Sequence, residues 1–290
     1  MGAFAFMPDP DRLIRTLFKA ADAVRQTPGR KGRFVQLQDA AEVLVAGDMH
    51  GHIGNFQAVY KAADLANNPR RHLVLQELIH GKFTYPQGGD KSHQLLDLFA
   101  ALKLQFPRQV HLLLGNHEMA QWLDRLVMKN DQDLNALFLD GVREAYGPVK
   151  GPEIYKGYLR LFGVLPFALR TANRVFLSHS LPRAKYLDQF ELRHLETDVF
   201  PPEDLAVGGP AYELLWGRDT RSETCAVFLA KVDCEWLISG HIPCEAGFAF
   251  PNAQQMILDC CDHPAAYAMI STERPLSADE FRAAVRMIEI

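Results

Sequence analysis

Five short apolar runs, each closing on a polar residue, set the pattern of this chain. Residues 42–46 run into Gly47-Asp48, 72–75 into Gln76-Glu77, 111–114 into Gly115-Asn116-His117-Glu118, 175–177 into Ser178-His179, and 235–238 into Ser239-Gly240-His241. Runs of this length, bounded by glycine and polar residues, predict buried strands that deliver a functional group at their ends. Between them the spacing turns helical. Residues 11–26 put Leu13, Leu17, Ala20 and Val24 on one face and stop at Pro28-Gly29, which predicts an amphipathic helix on the outside of the core. Residues 92–104, with Asp90 as N-cap, and residues 119–161 are the other helical stretches. Residues 33–37 alternate as an edge strand does, and Tyr155, Tyr158 and Phe162 share the spacing of a helix face turned to the core.

Strand and helix in alternation predict an α/β fold whose site lies at the carboxyl ends of the strands. No repeat, low-complexity stretch or Ser/Gly linker divides the chain, so residues 1–290 are expected to form one domain, with 1–32 an N-terminal helical extension and 33–290 the core. Hydrophobic residues make up 48% and charged residues 23%, the balance of an ordinary globular protein. Lys plus Arg is 31 against 35 for Asp plus Glu; a net charge of -4 supplies no bulk attraction to nucleic acid or an anionic membrane, and neither is expected as a partner. The apolar stretch 161–169 is broken by Gly163 and Pro166, well short of the ~18 residues of a membrane span. Residues Met1 to Met7 are apolar but lack a basic start and a cleavage site, so a cytoplasmic protein is expected. Cys225, Cys234, Cys244, Cys260 and Cys261 show no Cys-x-x-Cys spacing and read as small buried apolar residues.

Asp48, His50, Glu77, Asn116, His117, His179 and His241 gather at those strand ends. Carboxylate, amide oxygen and imidazole together suit Mn, Fe or Zn, whereas an all-oxygen set would suit Mg or Ca. The set is too large for one tetrahedral ion, and a carboxylate can bridge two ions about 3.5–4 Å apart, so a dinuclear centre is expected.

The blocks Gly47-Asp48-Met49-His50-Gly51, Gly115-Asn116-His117-Glu118, the lone His179 after a strand, and Gly240-His241-Ile242-Pro243 resemble, in that order, the signature of calcineurin-like metallophosphoesterases. Leu165-Pro166 through His179, and Glu213-Leu214-Leu215-Trp216, are similar to the phosphoprotein (Ser/Thr) phosphatase branch; the resemblance covers residues 42–272. It implies a β-sandwich flanked by helices. It also implies that Asp48 and His50 hold one metal, that Asn116, His179 and His241 hold the other, and that Glu77 bridges them. His117 resembles the general acid that protonates the departing alkoxide, and Arg218 with Asn116 would fix phosphate oxygens. The implied cofactors are two divalent ions, Mn, Fe or Zn, with Mn the first to use in vitro; such a pair lowers the pKa of a shared water and supplies hydroxide for in-line attack on phosphorus. The implied substrate is a phosphorylated protein or a small phosphoester.

One block departs from the family. Where Gly-Asp-x-x-Asp-Arg-Gly is usual, the chain reads Leu75-Gln76-Glu77-Leu78-Ile79-His80-Gly81-Lys82, followed by an insertion at 83–89. Glu77 keeps the bridging carboxylate with one more methylene. His80 takes the place of the Asp that would orient the general acid, and the phosphate-binding Arg is missing. Lys91 is the candidate replacement for that Arg, as a point charge without the planar fork, and Asp90 a candidate partner for His117, although a helix cap is its simpler role. His72, His93, His111, His194 and His263 read as core or surface residues, and His52 as a neighbour of the site. The leading reading is a dinuclear phosphomonoesterase acting on phosphoserine or phosphothreonine. Two alternatives stand beside it: a nucleotide or dinucleotide polyphosphate hydrolase, and a phosphate-binding regulatory protein whose chemistry is weakened by the altered block.

Overall fold

A computed structural model describes residues 9–289; the expectation for Met1 to Met7 lies outside the described residues. The five apolar runs are strands, Glu42–Asp48, Arg71–Gln76, Val110–Leu113, Val175–Ser178 and Trp236–Ser239. They divide between two sheets. The first three run parallel, and Glu42–Asp48 also pairs antiparallel with Ala266–Ser271, which carries Val285–Met287 on its other edge. The second sheet has seven strands, in the order Arg30–Lys31, Phe34–Leu37, Ala168–Thr171, Val175–Ser178, Trp236–Ser239, Gln255–Leu258 and Phe248–Ala249. Side chains alternate across each strand. One set, Val43, Val45, Val74 and Leu113 from the first sheet with Val35, Leu169, Leu177 and Ile238 from the second, fills the space between the sheets. The opposite set, including Leu44, Leu73, Leu75, Leu112, Phe176 and Leu237, packs with the helices. The runs are apolar throughout because both faces are covered. Strands Glu42–Asp48, Arg71–Gln76, Val175–Ser178 and Trp236–Ser239 all end beside one cleft.

Helix Pro10–Arg25 is capped by Asp9, whose Oδ1 accepts from the Arg12 amide at 2.8 Å, and it packs on helices His93–Gln105 and Leu134–Phe162. Phe34–Leu37 is not an edge strand: Arg30–Lys31 pairs outside it and Ala168–Thr171 inside. The stretch 119–161 is not one helix. It divides into Asn116–Trp122, a hairpin of Met128–Lys129 and Gln132–Asp133, and Leu134–Phe162, which kinks at Gly147 (φ 78°) before Pro148. The new start at Leu134 is fixed by Asp133, whose carboxylate accepts from the Asn135 and Ala136 amides at 2.9 and 3.3 Å. The carbonyls that end this helix are met by Arg33, a fully buried guanidinium that donates to Phe162 O, Gly163 O and Leu165 O between the Trp122 and Phe167 rings.

His72 and His111 stack on neighbouring strands, with His72 Nδ1 and His111 Nε2 3.0 Å apart. Burial, reinforced by Lys103, pushes His72 down to about 4 from its ordinary 6.5. The unfolded chain binds the extra proton first, so stability is full above pH 6.5 and is lost as pH falls toward 4. The thermal midpoint is expected to drop between pH 7 and 4.5, and to drop less steeply in His72→Phe.

Candidate metal centre

The loops that follow the strands are tied to one another before any side chain is considered. The Glu77 carbonyl accepts from the Met49 and His50 amides at 2.9 and 3.1 Å, and the Gly240 amide donates to His179 O at 3.1 Å. Gly240 and Gly115 permit the approach: a Cβ on the first would overlap Asp48 Oδ1, and on the second would lie 2.8 Å from Glu77 Oε1. Eleven non-glycine residues among those described have positive φ, and five of them, His50, Glu77, His80, Arg218 and His241, line this one cleft. Left-handed backbone at non-glycine residues costs free energy, and its concentration at one cleft makes that cleft the candidate functional site.

Each imidazole has its tautomer set by its partner. His50 Nδ1 donates to Ile79 O at 2.7 Å, which leaves a bare Nε2 facing Glu77 Oε2 at 3.5 Å. His179 Nε2 donates to Asn116 Oδ1 at 2.8 Å and leaves Nδ1 bare, buried and without a partner. That nitrogen lies 3.6 Å from Asp48 Oδ1, itself buried and unpartnered, while Asp48 Oδ2 accepts from the His241 amide at 2.8 Å. Bare His241 Nε2 accepts from Arg218 Nε at 2.7 Å. Glu77 Oε1 accepts from the His117 amide at 2.8 Å, and Oε2 lies 3.4 Å from His179 Nε2.

This donor set fits divalent cations. Asp48 Oδ1 and His179 Nδ1 are buried polar atoms without a hydrogen-bond partner, an uncompensated desolvation cost that neighbouring cations offset. Ligand atoms of His50, Glu77 and His117 lie within 4.8 Å of one another, and so do those of Glu77, His179 and His241. Glu77 belongs to both groups. Burial and the charge of Glu77 push the Asp48 carboxyl well above its ordinary range. Burial works the same way on Glu77, but the His179 and His117 imidazoles outweigh it and hold that carboxyl low. By distance the first group contains His117, whereas Asp48 approaches beside the second through His179 and His241.

The altered block is accommodated by a relay. Gln121 Nε2 donates to Tyr155 Oη at 2.6 Å and to Asn135 O at 3.3 Å, so its Oε1 accepts from His80 Nε2 at 2.9 Å. Neutral His80 then presents a bare Nδ1, which accepts from His117 Nδ1 at 2.6 Å. His117 Nε2 is thereby the free nitrogen. Burial, with His117 nearby, pushes His80 down to about 3, and burial pushes His117 to about 4.

Two expectations for this region are overturned. Asp90 neither caps the helix nor touches His117. The helix starts at His93 with Ser92 as N-cap, and the Asp90 carboxylate is saturated by the Ser92 amide and hydroxyl at 2.8 and 2.7 Å and the Gly81 amide at 3.3 Å. Lys91 does not line the cleft: its ammonium sits 5.0 Å over the Tyr85 ring, beside a separate pocket formed with Gly51, His52 and Phe83. The insertion turns it away, because Glu144 on the long helix holds the Gln87 and Gly89 amides. The cysteine expectation holds for Cys225, Cys234 and Cys260, whereas Cys244 and Cys261 are half-buried, their amides on Asp259 at 3.0 and 2.9 Å.

The cleft encloses about 320 Å³ and is lined by Asp48, His50, Glu77, Asn116, His117 and His241, with Arg218 exposed at its side. His179 lies under it, fully buried. Sequence reasoning did not find Lys129, Asp259 or Gln121. Lys129 comes from a hairpin too short for any period, and Asp259 from a strand end outside the recognised blocks. Gln121 had a signal: it stands four residues after His117, on the same helix face.

The calcineurin-like phosphoesterase family model matches residues 41–245. Similar curated proteins include a probable serine/threonine-protein phosphatase of Encephalitozoon cuniculi, 27% identical over 209 residues, and the serine/threonine-protein phosphatase BSL2 of Arabidopsis thaliana, 29% identical over 195. The alignments cover 70% and 65% of this chain but only 41% and 17% of those relatives. Among solved structures, a Saccharomyces cerevisiae protein serine/threonine phosphatase with similarity to human phosphatase PP5 superposes with a TM-score of 0.71 at 17% identity, covering 98% of this chain and 90% of that one. A cold-active protein-tyrosine phosphatase of a psychrophilic Shewanella gives 0.58 at 12%, covering 88% and 82%. These structures share the mixed α/β sandwich, and with the family model spanning well over half of its residues, the chain belongs to the calcineurin-like phosphoesterase family.

Proposed function

We propose that this chain is a dinuclear metal-dependent phosphomonoesterase acting on phosphoserine and phosphothreonine in proteins. The observation that carries the reading is Glu77, common to two ligand groups on a cleft whose wall holds His117 by a directed hydrogen bond. Asp48, His50 and Glu77 would hold one ion, and Glu77, Asn116, His179 and His241 the other, with Mn the proposed metal in vitro. Two such ions acidify a shared water and offset charge on phosphate oxygens. The protein's own part is proton delivery and positioning. His117, held at Nδ1 by His80, would carry the transferable proton at Nε2 in its imidazolium form and give it to the leaving oxygen, while the Asn116 amide and the Arg218 guanidinium would fix phosphate oxygens. The serine/threonine phosphatases among its relatives support the substrate class. With Mn supplied, phosphoserine and phosphothreonine peptides are expected to turn over faster than dinucleotide polyphosphates; the reverse ranking contradicts this substrate class.

His80 makes a specific departure testable. A neutral imidazole orients His117 but does not stabilise its charged form, and His117 is pushed down to about 4, so the acid form is lost as pH rises. A carboxylate in that place favours the imidazolium. His80→Asp is therefore expected to move the basic limb of the pH–rate profile upward and to raise turnover at pH 7 by about tenfold or more.

A further inference from the structure

Beside the cleft lies a second pocket of about 210 Å³, which shares His80, Lys129 and Leu134 with it. The shared wall is the one that carries His117 through its bond to His80. In the proposed chemistry the leaving group departs on the His117 side, which puts the side pocket next to its path. Its lining is rich in donors: Lys82, Thr84, Asn130 and Gln132 join Lys129. The carboxylate in it, Asp90, has its oxygens taken by Ser92 and Gly81. Lys82 is tied to Asp262 at 2.7 Å, whereas Lys129 is exposed and has no carboxylate partner among the described residues. A free ammonium between two connected pockets, with amide and hydroxyl donors around the second, matches an oxyanion.

We propose that this pocket is a subsite for a second phosphate on the leaving group, with Lys129 as the residue that selects it. The inference rests on the phosphomonoesterase reading and adds to it a preference for a leaving group that bears a second phosphate near the first. Such chemistry occurs in a doubly phosphorylated peptide and in a small sugar bisphosphate.

The test is calorimetric binding to the Mn-loaded full chain, with propane-1,3-diphosphonate and propylphosphonate as probes that cannot be hydrolysed. One charge-assisted contact predicts about tenfold tighter binding of the diphosphonate. That preference is expected to fall to about one in Lys129→Met and to return in Lys129→Arg. Equal affinities in the wild-type chain, or a preference that survives in Lys129→Met, overturn the subsite. Displacement of the diphosphonate by a pSer-Gly-pSer peptide or by a hexose bisphosphate distinguishes the two sources. Aryl phosphate turnover by the same preparation reports separately on the phosphatase reading, so failure of one is not mistaken for failure of the other.

Discussion

Glu77→Gln is expected to lose metal from both positions and to lower turnover by about three orders of magnitude or more. The side chain belongs to both ligand groups, so its replacement weakens both. Glutamine keeps the shape, and its carbonyl oxygen still accepts the His117 amide that Glu77 Oε1 accepts at 2.8 Å. What it removes is the charge that His179 and His117 now hold in place. Metal analysis of the purified variant checks the first part and steady-state kinetics the second. Retention of two ions in Glu77→Gln would show that the extra methylene has withdrawn this carboxylate from the bridging position.

His117→Asn is the complementary case. Loss of a positioned acid costs about 10²–10⁴ in kcat when the leaving group is a poor one, such as the alkoxide of serine. With an aryl phosphate, whose phenolate leaves without a proton, the loss is expected to be much smaller. Metal content is expected to persist, because the proposed ions have other ligands. That last point carries weight, since His117 lies within ligand distance of His50 and Glu77. Loss of metal, with equal kinetic loss on both substrates, would make His117 a ligand in place of an acid.

How much of this was legible in the sequence follows from what each residue answers to. The strand ends could be read because a strand buried on both faces is apolar throughout, and the change to Asp48, Asn116, His179 or His241 is abrupt. The hairpin at Met128–Asp133 could not, since its two-residue strands leave no period and the apolar spacing on either side reads through it. Asp90 and Lys91 were misplaced for a different reason. The insertion before them is anchored on Glu144 and Tyr85 packs by His93, contacts that only the folded chain brings together. The exchange of a carboxylate for His80 was visible as a residue, but its meaning depended on Gln121, Asn135 and Tyr155, which fix the tautomer. Arg33 was likewise invisible as the buried cation that closes the long helix.

The central claim is that the cleft is a two-metal phosphatase site, and it is tested most directly by the metal content of the purified chain together with aryl phosphate hydrolysis before chelation, after chelation, and after return of Mn. A two-metal phosphatase site predicts about two divalent ions per chain, turnover abolished by chelation, and recovery with Mn. Turnover that is unchanged after chelation, or two bound ions with no turnover of any phosphoester, would contradict it.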